Sequence, residues 1–182
     1  TGMAIGAAAT GMKPIVDTIF ADILYEMMSP LCQQAGKLSY MSNGKTAVPL
    51  VVRAQMGAKL NGSHHSGCLY PLCMHVPGLK VVVPSNPYKA KGLIKSSIRD
   101  ANPVVFFENK FAFPKKGEVP EEEYVIPLGK ADIVKKGKDV TIVAISTMID
   151  KVLNVLSDDE IDADIEIIDP MTLYPLDINT II

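Results

Sequence analysis

The residues with the most chemistry in this chain of 182 are bunched together. All three histidines, His64, His65 and His75, fall within 12 residues, with Cys68 and Cys73 between them. Imidazole and thiolate are zinc ligands, so a zinc site is the first chemistry to weigh. The spacing argues against it. Cys-x4-Cys is not the usual paired knuckle, and no second pair of ligands follows elsewhere. Cys68 and Cys73 read instead as small buried hydrophobes in a helix after the loop. With Cys32 they make an odd, small count, which suggests reduced thiols in a cytosolic setting rather than a disulfide framework.

The loop that carries the first two histidines runs Gly57-Ala-Lys-Leu-Asn-Gly-Ser-His-His-Ser-Gly67. It follows a buried strand and precedes a helix. Ligands of open α/β sheets bind at such carboxyl ends. Glycines let a backbone approach a ligand closely, and histidine moves protons near neutrality. The competing reading is a solvated polar loop with incidental histidines. Asp100-Ala-Asn102-Pro103 is a second oxygen-rich stretch, at a helix-to-strand junction. Its plain meaning is a C-terminal cap and turn, and such junctions can also hold a monovalent cation.

Much is excluded. No P-loop, strand-to-helix GxGxxG, GxSxG or HExxH is present. A net charge of -2 lacks the basic surplus a nucleic-acid binder needs, and 6% aromatic content without Trp offers no base-stacking platform. Hydrophobic residues make up 48%, yet no apolar run approaches the ~20 residues of a membrane helix. Thr1-Gly2-Met3 opens without the basic region of a signal peptide. Both ends read as cut, so a fragment is expected.

The elements that must position these residues form an α/β pattern. Val48–Arg53, Lys80–Pro84, Pro103–Glu108, Val140–Ile145 and Asp164–Asp169 read as strands. They are almost continuously apolar, as strands covered on both faces should be. Phe20 to about Leu38 has helical spacing, with a bend expected at Pro30. Asn86-Pro87 starts a helix that Asn102-Pro103 ends. Thr1–Thr10, mostly Ala and Gly, reads as a helix packed close to a neighbour, within the core or across a subunit interface. Lys110 to Glu123 is charged and rich in breakers, so a surface linker is expected. After it come an entry strand within 126–134 and a helix over 147–157.

Several segments together resemble one family. They are Gly2-Met-Ala-Ile-Gly-Ala-Ala8, Gly11-Met-Lys-Pro-Ile-Val-Asp17, Tyr40-Met-Ser-Asn-Gly44, Val48-Pro-Leu-Val-Val-Arg53 and His65-Ser66. They continue with Pro77-Gly-Leu-Lys-Val-Val-Val-Pro-Ser85, Ala90-Lys-Gly-Leu-Ile-Lys-Ser-Ser-Ile-Arg-Asp100 and Asn102-Pro-Val-Val105. Gly117-Glu-Val-Pro-Glu-Glu-Glu-Tyr124, Pro127-Leu-Gly-Lys-Ala-Asp132 and Ile168-Asp-Pro-Met-Thr-Leu-Tyr-Pro-Leu-Asp177 complete the set. The chain resembles β subunits of the thiamine-diphosphate-dependent E1 component of 2-oxo acid or acetoin dehydrogenase complexes, bacterial members above all.

The resemblance implies a parallel sheet flanked by helices as a pyrimidine-binding domain over 1–120. A truncated transketolase C-terminal-like domain would follow over 121–182. It implies an α2β2 assembly in the bacterial cytoplasm, thiamine diphosphate with Mg2+ shared with the α subunit, and a lipoyl-bearing E2 as partner. It also implies decarboxylation or acetoin cleavage with acyl transfer, and leaves nucleic acid and membrane out. His65 matches the active-site histidine. Ile19, Ile23 and Glu26 fall at cofactor-lining positions, Ile23 where many members carry Phe or Tyr. Leu50, Ser97, Asp100 and Asn102 match a K+ site of some members, mostly through backbone carbonyls. The family's activating Glu would sit a few residues before Thr1, so this chain alone is expected to be inactive. Two alternatives stand beside this reading: the C-terminal half of a transketolase or deoxyxylulose-phosphate synthase, and a non-catalytic assembly subunit.

Overall fold

A computed structural model describes residues 1–58, 62–157 and 161–182. Lys59, Leu60 and Asn61 of the histidine loop therefore lie outside the described residues. The first sheet has the spatial order β1 (Ile15–Phe20), β2 (Val51–Met56), β4 (Val104–Asn109), β3 (Lys80–Val82), β8 (Thr172–Tyr174). The first four are parallel, and β8 runs antiparallel to β3. Parallel neighbours need crossovers, and helices supply them. A turn at Ala21–Ile23, α2 (Leu24–Ser29), a π-helical stretch Pro30–Ala35 and α3 (Gly36–Met41) lead from β1 to β2. After β2 come a 3-10 turn at Ser63–His65 and α4 (Tyr70–Met74), and α5 (Pro87–Arg99) joins β3 to β4.

Successive residues of a strand point to opposite faces, and the core follows that rule. Val105 and Phe107 join one cluster with Val52, Ala54, Val81, Leu24 and Leu31. Val104 and Phe106 join the other with Val51, Val82 and Leu93 of α5. Opening α5, the Asn86 side chain accepts from the Lys89 N–H at 2.8 Å, with Pro87 in the first turn.

The structure moves several expected boundaries. Phe20, expected to open a helix, instead closes β1, an edge strand whose exposed Ile15, Asp17 and Ile19 hide its pattern. The strand expected at Val48 starts at Val51, because Pro49 has no N–H to give a ladder. At Pro30 the expected bend takes the form of the π stretch, which absorbs the missing donor. In the opening helix, α1 (Gly2–Ala9), Ile5 and Ala8 are buried. Among the described residues no atom stands within 4 Å of where a Cβ at Gly2 or Gly6 would be, so those residues do not pack closely on that face.

The second sheet has the order β5 (Asp132–Lys135), β7 (Ile165–Asp169), β6 (Val140–Val143), with α6 (Met148–Val155) packed on it through Ile149. The chain ends with α7 (Ile178–Ile181). The entry strand is shorter and later than expected, because Ile126 is drawn onto α5, where a Cβ at Gly92 would come within 2.6 Å of it. β8 was not expected at all. It carries the chain back from the second sheet to pair with β3 of the first. No described helix is long and apolar enough to cross a membrane.

Candidate functional site

Three strands end at one place. Phe20 closes β1, Met56 closes β2, and Lys110 follows the last residue of β4. The Lys110 N–H donates to the Met56 carbonyl at 3.0 Å, tying the ends of β2 and β4. His65 stands over this corner. Its ring stacks on Phe20 with centroids 4.1 Å apart at 18°, and His64 lies tilted 4.2 Å away. The Lys110 ammonium donates to the His65 carbonyl and lies 5.2 Å from the Phe20 ring centre. Nδ1 of His65 is buried and has no hydrogen-bond partner among the described residues.

The turn that carries His65 is anchored on its far side. The Gly67 N–H donates to Asp22 Oδ2 at 2.9 Å, and the Ser66 hydroxyl donates to the Gly62 carbonyl at 2.7 Å. A Cβ at Gly67 would stand 2.5 Å from Asp22 Oδ1, so only glycine permits this approach. Through these contacts the Ala21–Ile23 turn lies against the Ser63–His65 turn.

Ile19 adopts φ 63°, a left-handed conformation that costs a β-branched residue about 1–3 kcal/mol. Neighbouring groups hold it there. Asp17 Oδ1 accepts from the Ile19 N–H at 2.9 Å, and the Thr18 hydroxyl bonds the carbonyls of Phe20 and Arg53, each at 3.0 Å. A bulge between Asp17 and Phe20 results. It leaves Ile19 56% and Ile23 40% exposed, an apolar shoulder beside the His65 turn. Glu26, on α2, is exposed nearby in sequence.

The three histidines do not converge on a ligand set. Among the described residues no group of three or more His, Cys, Asp or Glu could hold a metal ion. His75 is exposed beyond α4. Cys73 is buried in α4 as expected, and desolvation with nearby Cys32 pushes its thiol up to about 12. Cys68 corrects the sequence reading. It is exposed and precedes the helix, because α4 begins only at Tyr70.

Leu50, Ser97, Asp100 and Asn102 gather at the opposite end, around the amino ends of β2 and β4. The Leu50 carbonyl accepts from the Val104 N–H at 2.8 Å, and the Ser97 hydroxyl donates to the Leu93 carbonyl at 2.8 Å. Asp100 Oδ1 accepts from the Asn102 backbone N–H at 2.9 Å and side-chain amide at 3.1 Å. The Lys80 ammonium pairs with Oδ2. Burial pushes the Asp100 carboxyl up, but Lys80 and Asn102 together outweigh it and hold the group below its ordinary value. A cation here would thus meet main-chain carbonyls, which keep a second lone pair, rather than a free carboxylate.

Sequence reasoning missed Phe20, Asp22 and Lys110. Lys110 was expected to open a solvated linker, yet it is 5% exposed. No local signal marks it, since its acceptor lies 45 residues away.

Comparison with known proteins fits this geometry. The family model for the transketolase pyrimidine-binding domain matches residues 1–115, and that for the transketolase C-terminal domain matches 129–182. The chain is 46% identical over 185 residues to an acetoin:2,6-dichlorophenolindophenol oxidoreductase subunit beta of Cupriavidus necator, covering 100% of this chain and 54% of the relative. It is 45% identical over 185 residues to a pyruvate dehydrogenase E1 component subunit beta of Porphyra purpurea, covering 100% and 55%. With the 2-oxoisovalerate dehydrogenase subunit beta of Bacillus subtilis the identity is 41% over 186 residues, covering 100% and 56%. The chain thus spans about half the length of the curated relatives it matches. A solved split-gene transketolase, described as an inactive beta4 tetramer, shares the fold at a TM-score of 0.79 and 21% identity, covering 98% of this chain and 56% of that one. Because the pyrimidine-binding model spans well over half of its residues, this chain belongs to the family of the transketolase pyrimidine-binding domain.

Proposed function

We propose that this chain is part of a β subunit of the E1 component of a 2-oxo acid or acetoin dehydrogenase complex. The observation that carries the reading is the half-buried His65 at the carboxyl ends of β1, β2 and β4, stacked on Phe20 beside the apolar Ile19 and Ile23. The relatives' names support it, since acetoin, pyruvate and 2-oxoisovalerate enzymes all match the whole chain.

Family membership implies thiamine diphosphate. The residues present fit its aminopyrimidine ring, because Ile19 and Ile23 expose an apolar surface at the site. When bound, that cofactor supplies a nucleophilic carbon for cleavage of the bond beside a carbonyl. This chain's part is to bind and orient. Ile19 and Ile23 take the ring face, and Glu26 borders it. His65 presents Nε2 to the reacting oxygen, because Nδ1 is enclosed. Proton transfer at Nε2 serves substrate and the incoming lipoyl group.

In this reading the domains divide at about 1–120 and 121–182, and the protein works in the bacterial cytoplasm. An α subunit completes an α2β2 assembly and holds Mg2+ with the diphosphate, and lipoyl E2 accepts the acyl group. K+ binds through carbonyls around Leu50, Ser97, Asp100 and Asn102. The test is His65→Ala in the complete complex. Reductive acylation of lipoyl is expected to fall at least 100-fold, the loss typical of a removed acid–base group. Unchanged transfer overturns the role of His65 and favours a non-catalytic assembly subunit.

A further inference from the structure

We propose that Lys110 is a positioning residue that fixes His65 through its main-chain carbonyl. Its catalytic consequence rests on the reading of His65 given above; its structural core does not.

Lys110 is buried, and among the described residues no carboxylate pairs with its ammonium. An enclosed ammonium without a counter-ion is costly, so its place demands a physical reason. The acceptor it does reach is the His65 carbonyl, and the Phe20 ring lies 5.2 Å away. Phe20 is also the ring on which His65 stacks. One cation therefore holds the backbone of His65 and flanks the surface against which its side chain rests.

The base of this lever is rigid. Lys110 N–H bonds Met56 at the end of β2. Its neighbour Asn109 accepts from the Phe111 N–H at 3.0 Å and donates to Thr147 Oγ1, ahead of α6, at 3.1 Å. The turn's other anchors are the His65 N–H and the Ser66 hydroxyl, both donating to the Gly62 carbonyl, and the Gly67 N–H on Asp22; among the described residues Lys110 alone ties the His65 main chain to the end of β4. Without Lys110 the turn loses that tie, and the stacking of the imidazole on Phe20 is expected to loosen.

The test uses Lys110→Met and Lys110→Arg, in this chain for spectroscopy and in the complete assembled enzyme for kinetics. Stacking on Phe20 shifts the His65 ring protons upfield in NMR, and His65→Gln assigns them. Lys110→Met is expected to move those resonances towards free-histidine positions, and Lys110→Arg to retain them. In the complete enzyme, Lys110→Met is expected to lower kcat about 10–100-fold with KM within about threefold, and Arg to restore most of it. Where Met prevents folding, Lys110→Gln keeps an N–H donor without charge and is expected to give an intermediate shift. Unmoved His65 resonances in a folded Lys110→Met chain overturn the proposal, whatever happens to kcat. Moved resonances with unchanged kcat uphold the positioning role and instead overturn the catalytic reading of His65.

Discussion

The ammonium of Lys89 lies 2.8 Å from the fully enclosed carboxylate of Asp169. Lys89 stands in the first turn of α5, and Asp169 ends β7 of the second sheet. Asp132 adds a second carboxylate at 2.7 Å, and the Ser85 hydroxyl donates to Asp169. The two sheets are thus joined by a buried polar cluster as well as by the pairing of β8 with β3.

Removing one side of that cluster leaves the other charge enclosed. Lys89→Met is expected to destabilise the chain by about 3–5 kcal/mol. Asp169→Asn is expected to cost less, about 1–3 kcal/mol, because Asp132 still faces Lys89. Urea denaturation midpoints at unchanged slope measure both. Equal losses for the two variants contradict the role given to Asp132.

Acid should act on the Lys80–Asp100 pair. Burial works against the carboxylate, but Lys80 and Asn102 prevail, so the folded value lies below the ordinary one of ~3.9. A lowered folded value gives stability that is full above the ordinary value and is lost as pH falls through the folded one. Asp100→Asn is therefore expected to cost about 1–2 kcal/mol at pH 7. The gap from the parent chain should close below about pH 4. Melts at pH 7, 5 and 3 show whether it does.

Two glycines can be ranked. A Cβ at Gly78 would run into the Gly36 carbonyl, from a residue already at φ 91°. Gly78→Ala is expected to cost about 3 kcal/mol or more, since backbone has to move. Gly67→Ala meets a side chain, Asp22, which can turn away at the expense of its bond to Gly67. About 1–2 kcal/mol is expected there, with faster hydrogen exchange at the Gly67 amide. Calorimetry of the two variants tests the order.

Thiol labelling separates the cysteines. With its thiol pushed to about 12 and its side chain buried, Cys73 holds about one thiolate in 10,000 at pH 8. Cys68 is exposed and should react with iodoacetamide first, although burial of its sulfur raises its value too. Cys73 is expected to label only on unfolding. Mass spectrometry of the labelled chain at rising urea reads out the sequence of events.

By itself the chain is expected to evolve no CO2 from pyruvate with added thiamine diphosphate, because the proposed site needs a partner subunit. Turnover above background in the purified chain contradicts that division of labour.

The fold class was legible because buried parallel strands leave dense β-branched and aromatic runs, such as Val81–Val83 and Val104–Phe107. Asn86-Pro87 announced its helix by local chemistry alone. β1 escaped because an edge strand need not be apolar throughout, and its bulge breaks the alternation. β8 escaped because three residues gain their pairing only from a strand about 90 positions earlier.

The sequence by itself determined the buried strands, the helix that opens at Asn86-Pro87, and that a histidine follows the carboxyl end of β2. Those are local matters of periodicity, capping and turn chemistry. Residue types and spacing did not show which of the two histidines would stack on Phe20, nor what would hold it. His64 and His65 are adjacent and alike, and the difference lies in Phe20, Asp22 and Lys110, drawn from 45 residues on either side. Only parallel strands ending at one edge bring those three together, so what holds His65, which the resemblance had singled out, and the ammonium buried against its carbonyl were decided by the tertiary structure alone.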